Sequence, residues 1–166
     1  MRKCILKSGT AAILAVGLFG TAPSGFAASS TTQTVTFSVS AINEISVSGN
    51  PGALTVSSAT AGSAPSSATD SSTTYAITTN ETNRKITGAI NSAMPSGTTL
   101  AVQLAAPTGA TGAGSVTLGT SAADLVTGIA TLNESGKTIT YTFSATTAAG
   151  TVSSSTRTVT LTITAG

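Results

Sequence analysis

The sequence predicts an all-β protein, an antiparallel sandwich of two sheets with about eight to nine strands. Three observations support this fold class. Large apolar residues alternate with small polar ones in many short runs, threonine occupies many of the alternate positions, and residues typical of turns separate the runs. No amphipathic helix of useful length competes with these runs.

The first element is an N-terminal leader at residues 1–28. Arg2, Lys3 and Lys7 precede the apolar run 11–19, and small residues at Ala27 and Ala28 follow it. This order of charge, apolar run and cleavage site is typical of a secretory signal peptide. We expect cleavage after Ala28 or Ala27, no membrane span afterwards, and a single β-sandwich domain over residues 29–166.

Candidate strands follow along the whole remaining chain. Each is recognised by period-two apolar positions that would share one buried face. They are centred on Val35/Phe37/Val39, Ile45/Val47, Leu54/Val56, Tyr75/Ile77, Ile86/Ile90, Leu100/Val102/Leu104, Val116/Leu118, Ile139/Tyr141/Phe143 and Val159/Leu161/Ile163.

Turn chemistry separates these strands. Turns are predicted at residues 49–52, 80–83, 94–97 and 133–136, and loose surface loops at residues 57–72, 106–114 and 145–156. A helical turn or two is expected at residues 121–126. This spacing is typical of an immunoglobulin-like sandwich, and a closed barrel is the alternative.

Composition after the leader argues against several functions. The leader takes three of the seven basic residues and the one cysteine, which leaves four basic residues against five acidic ones and no histidine. A near-neutral chain has little electrostatic attraction for nucleic acid. The usual bases, thiol nucleophile and transition-metal ligands are absent, and no spacing of the carboxylates selects a catalytic pair. We therefore expect no enzyme activity, no cofactor and no metal.

Carbohydrate binding is the alternative function. Sugar-binding sandwiches usually present exposed aromatic platforms, and this chain has no tryptophan. Tyr75 and Tyr141 lie in phase with aliphatic residues, so we expect both in the core with a hydroxyl at the sheet edge.

The segment Thr34–Ile42, "TVTFSVSAI", follows the leader directly. The layout of leader, alternating strand, threonine-rich sandwich and terminal "RTVTLTITAG" resembles secreted bacterial pilin and coat subunits, although the cysteine pair of many such subunits is absent. The resemblance implies that a strand carrying Val35, Phe37 and Val39 can complete the sheet of another copy. No flexible linker separates this strand from Asn43, which favours its placement in its own sandwich, with exchange as the alternative.

These observations together predict a non-enzymatic structural or interaction protein, secreted or on the cell surface, that serves adhesion, a coat or a fibre. Its expected partners are further copies of itself or surface glycans. A soluble extracellular carbohydrate-binding module is the alternative.

Overall fold

A computed structural model describes residues 28–166. The predicted leader lies outside this range except for its last residue, so the leader and its cleavage stay predictions. The chain divides into two units, and the boundary lies between Phe37 and Ser38. Ser38–Gly166 form one compact unit. Residues 28–37 have no regular secondary structure.

Ser38–Gly166 fold into two antiparallel sheets. The nine strands are β1 (Asn43–Val47), β2 (Ala68–Thr79), β3 (Arg84–Ile90), β4 (Thr98–Leu104), β5 (Thr111–Gly112), β6 (Val116–Thr117), β7 (Ala123–Ile129), β8 (Leu132–Ala145) and β9 (Val159–Ala165). One sheet has the order β1-β2-β8-β4-β6 and the other β5-β7-β3-β9. The predicted all-β, two-sheet fold is confirmed, and its nine strands agree with the expected eight to nine.

A single apolar core lies between the sheets. Both sheets contribute fully buried side chains, among them Ile77, Val102 and Ile139 from one and Ile86 and Val126 from the other. These are the inward positions of alternating runs, apart from Val126 in β7. The expected burial of Tyr75 and Tyr141 is confirmed, with 1% and 7% of their surface exposed.

Several predicted elements are wrong in type or extent. Residues 121–126 form no helical turn, because β7 begins at Ala123 and pairs with both β3 and β5. β2 begins at Ala68, inside a predicted loop, because its polar first half pairs with β8. The predicted turn at residues 133–136 lies within β8, and Gly136, with φ of +68°, accommodates an irregularity there.

Two predicted strands do not form. Leu54 and Val56 are half-buried but lie in a stretch without regular secondary structure. Thr34–Ile42 also contains no strand, so the strand predicted for this segment does not form. The physical reason is the same for both: an alternating run becomes a strand only where a backbone edge pairs with it.

The register of the strands defines two ends of the sandwich. At the first, here the Asn80 end, lie the turn Asn80–Asn83, the start of β1 and the end of β9. At the second, the Val159 end, lie the start of β9, the start of β4 and the end of β8. This polarity positions the two features described next.

Candidate interaction site

Three large apolar side chains are exposed just before the sandwich. The exposed fractions are 74% for Val35, 88% for Phe37 and 80% for Val39. Single exposed apolar residues are ordinary on protein surfaces, but an exposed phenylalanine between two exposed valines is typical of an interaction segment. The three predicted exchange residues are therefore not buried against other described residues.

Asn80 fixes the chain where it enters the sandwich. Its Oδ1 accepts a hydrogen bond from the Ile42 N–H at 2.8 Å, and its Nδ2 donates to the Ser40 carbonyl at 2.8 Å. Its own N–H donates to the Ile42 carbonyl at 3.2 Å. Ser40 and Ile42 are therefore held at the Asn80 end.

A cleft of about 1330 Å³ opens into the core in the other half of the sandwich. β1 ends at Val47, opposite Tyr75, while β2 continues back to Ala68. The first half of β2 therefore has no β1 residue beside it. Side chains from both sheets line the cleft, namely Thr73, Leu100, Ile139, Tyr141, Val159 and Leu161.

Residues 49–58 form one wall of this cleft. Leu54 and Val56 are half-buried there. Gly52 donates its N–H to the carboxylate of Asp70, which also accepts from the Ser72 hydroxyl at 2.7 Å and the Ser72 N–H at 3.0 Å. The hydroxyl and N–H of Ser72, followed by the N–H of Gly52, lower the pKa of Asp70. Asp70 thus ties the wall to β2.

Thr73 brings a polar atom into the apolar cleft. Its side chain is 4% exposed, and Oγ1 has no hydrogen-bond partner among the described residues. A buried hydroxyl without a partner is unfavourable, and such groups are uncommon in folded proteins. Thr73 is therefore a buried polar group without a hydrogen-bond partner in the otherwise apolar lining of the cleft.

The carboxylates serve local contacts away from the cleft, apart from Asp70. Glu81 pairs with Arg84 and accepts from Asn43 Nδ2 at 2.5 Å, and these contacts lower the pKa of Glu81, with Asn43 contributing most. Asp124 lies 3.1 Å from Lys85 Nζ. Glu44 is exposed.

Glu134 contacts both a neighbouring lysine and a loop of the sandwich. Its Oε2 lies 2.5 Å from Lys137 Nζ, and its Oε1 accepts from the Thr108 N–H at 3.0 Å. The Lys137 ammonium first, and then Thr108, lower the pKa of Glu134 to about 2. The contacts connect the β4–β5 loop to β8, which is a structural role.

The two tyrosines provide no exposed platform. The Tyr75 hydroxyl donates to the Ala105 carbonyl at 2.7 Å, at the margin of the core. Burial, followed by the charge of Glu134, raises the pKa of Tyr75 to about 12, and burial also raises the pKa of Tyr141. Among residues 28–166, Phe37 is the one aromatic side chain in the exposed class.

Residues 28–166 contain no group of three or more acidic, histidine or cysteine side chains placed to hold a metal ion. In the same range, no helix is long and apolar enough to cross a membrane. Comparison of the chain with known protein families, with curated proteins and with solved structures gives no match.

Proposed function

We propose that this protein is a non-enzymatic structural subunit that acts outside the producing cell and associates with copies of itself in a fibre or coat. The observation that carries the proposal is the exposure of Phe37, flanked by Val35 and Val39, in a segment with no strand partner. Burying these three side chains against another molecule removes apolar surface from water, which is the main driving force of association.

The surface composition supports the same role. The chain after the predicted leader carries nine charged residues, and three of its four basic residues pair with carboxylates. Low net charge permits close packing of identical copies, because self-repulsion is small. The resemblance in layout to pilin and coat subunits, and the expected leader, are the grounds for an extracellular location.

The test is the oligomeric state of the chain from Ser29 onward as its concentration rises. We expect light scattering after size exclusion to show growing assemblies, and electron microscopy to show fibres or layers. Phe37→Asn should raise the critical concentration for assembly at least tenfold. The fold should be retained, because Phe37 lies outside the core.

Thr36→Asn is the matched control, because it introduces the same side chain one residue earlier in the same segment. It should assemble like the unmodified chain. A chain that stays monomeric at all accessible concentrations, with a β-sheet circular dichroism spectrum, would contradict the proposal. Binding of the protein to glycans on an array, together with a monomeric state, would support the alternative of a carbohydrate-binding module.

A further inference from the structure

We propose that the cleft is a binding site for a long-chain carboxylic acid, an amphiphile with one aliphatic chain and one anionic head group. The aliphatic chain lies along the apolar interior, and the head group pairs with Arg157 at the Val159 end. This inference goes beyond the proposed self-association and does not depend on it.

The apolar lining of the cleft keeps surface that a ligand can cover. Six of the apolar side chains that line it are half-buried, namely Leu54, Val56, Met94, Phe143, Val159 and Leu161. They belong to the wall at residues 49–58, to the connection between β3 and β4, to β8 and to β9, so apolar surface lies on several sides. A ligand that covers this surface removes it from water, which favours binding.

The cleft is elongated along β8. The alternate residues Ile139, Tyr141, Phe143 and Ala145 all line it, and together they cover about 20 Å of this strand. Its volume of about 1330 Å³ exceeds the roughly 300–1,000 Å³ of a typical small-molecule pocket. An extended aliphatic chain fits this long and open shape better than a compact polar ligand does.

Arg157 supplies the one charged side chain among the described residues that line the cleft. The other three basic residues in the described part of the chain pair with carboxylates, whereas Arg157 has no carboxylate partner there. A cation without a counterion beside an apolar surface attracts an anionic group. The charge of the lining therefore favours an anionic amphiphile over a neutral or cationic one.

The backbone holds the Arg157 guanidinium in place. Its Nε and Nη2 donate to the Ala93 carbonyl at 3.1 Å and 2.8 Å, and its Nη1 donates to the Thr156 carbonyl at 2.8 Å. A guanidinium has five N–H groups, so donors remain on Nη1 and Nη2 for a further acceptor. Because both present acceptors are neutral, the charge stays available to a carboxylate, which guanidinium groups bind well.

The position of Arg157 determines how the ligand lies. Arg157 comes shortly before the start of β9, and Ala145 ends β8 at the same end of the sandwich. Ile139 lies deeper, about 20 Å along β8 from Ala145. The head group is therefore near Ala145, and the methyl end of the chain is near Ile139.

Calorimetric titration of the chain from Ser29 onward with octanoate, decanoate and decanol tests the proposal. The titrations are made at neutral pH, below micelle formation, and at a protein concentration where light scattering shows a monomer. We expect decanoate to bind at least about fourfold more tightly than octanoate, because two more CH₂ groups are buried. Decanoate should bind about fivefold more tightly than decanol, which is the upper range for a partly exposed ion pair.

Arg157→Gln should remove the preference for decanoate over decanol. Binding of decanol should be retained, because the apolar lining is unchanged. Lys85→Gln is the matched control, since it removes the same charge from β3, outside the cleft, and it should keep the fivefold preference. A β-sheet circular dichroism spectrum checks that each variant is folded.

Nitroxide-labelled stearic acids test the orientation by NMR. A label next to the carboxyl group should broaden the Ala145 amide more than the Ile139 amide, and a label near the methyl end should do the opposite. Thr111 and Thr127 pair at the β5–β7 edge and do not line the cleft, so their amides are the control and should be affected least.

Five results would overturn the inference. They are no binding of decanoate, equal binding of decanoate and decanol, an unchanged preference in Arg157→Gln, the reversed order of broadening, and broadening at Thr111 and Thr127 in place of the cleft. None of them affects the proposed self-association, because its test measures assembly and its dependence on Phe37. Absence of assembly would, in turn, leave the ligand site of the monomer intact.

Discussion

Asn80 and Ile42 exchange two hydrogen bonds, one through the Asn80 side chain and one through its backbone N–H. This pairing extends the β1–β2 ladder by one residue past Asn43 and determines where the chain before the sandwich departs.

Removing the Asn80 side chain should loosen this departure point without unfolding the sandwich. Asn80→Ala deletes the bonds to Ile42 N–H and Ser40 C=O, at an expected cost of about 1 kcal/mol in the free energy of unfolding. Amide hydrogen exchange at Ile42 should accelerate. Asn80→Asp is the matched control, because it keeps the acceptor, and should preserve protection at Ile42; equal exchange in all three proteins would contradict the assignment.

Alkaline pH should destabilise the protein through Tyr75. Its pKa is about 12 in the folded chain, raised by burial and by Glu134, against a usual value near 10. The folded state thus holds the proton more tightly, so the contribution is complete below about pH 10 and is lost as pH rises toward about 12. Urea midpoints measured across this range should fall.

Tyr75→Phe should flatten this alkaline dependence while it lowers stability near neutral pH by about 1 kcal/mol, the value of the lost bond to the Ala105 carbonyl. The absorbance of tyrosinate in the unmodified protein provides an independent measurement. Titration of both tyrosines near their usual pKa in the folded protein would contradict the prediction.

Acid should destabilise the protein through Glu134. Lys137 and Thr108 lower its pKa from 4.5 to about 2 in the folded chain, so the unfolded state takes up the proton first. The stabilising contribution is present above about pH 4.5 and is lost as pH falls toward about 2. Glu134→Gln should therefore show a flatter dependence of the urea midpoint on pH in this window.

Glu44→Gln is the matched control for the loss of one carboxylate. Glu44 is exposed and forms no ion pair with another described residue. This variant should keep the acid dependence of the unmodified protein, and a loss of that dependence would show that general charge, and not the Glu134 contacts, is responsible.

Gly97 should tolerate alanine far less well than Gly109. Both have left-handed φ, +73° and +79°, so each substitution carries backbone strain of about 1 kcal/mol. A Cβ on Gly97 would also lie 2.7 Å from the Ala149 backbone nitrogen, whereas one on Gly109 meets nothing within 4 Å. We expect Gly97→Ala to lower the free energy of unfolding by about 3 kcal/mol and Gly109→Ala by about 1 kcal/mol, measured in urea. Equal losses would show that the contact with Ala149 relaxes.

Period-two alternation predicted the strands that supply most of the core. The inward positions of β2, β4 and β8, such as Ile77, Val102 and Ile139, are the apolar members of the alternating runs. Alternation failed for β7, where the adjacent Leu125 and Val126 are both buried next to register shifts in the ladder with β3. A bulge of this kind depends on the partner strand, so the pattern of one strand does not reveal it.

The sequence by itself determined that the chain forms sheets, which side chains face inward in most strands, and that Val35, Phe37 and Val39 can share one strand face. Only the tertiary structure decided which alternating runs obtain a partner. Ile45 and Val47 lie beside the free edge of β2 and become a strand, whereas the runs at Val35 and Leu54 do not. The physical reason is that alternation is a local property of side chains, while a strand requires backbone hydrogen bonds to an edge that distant residues must bring into place.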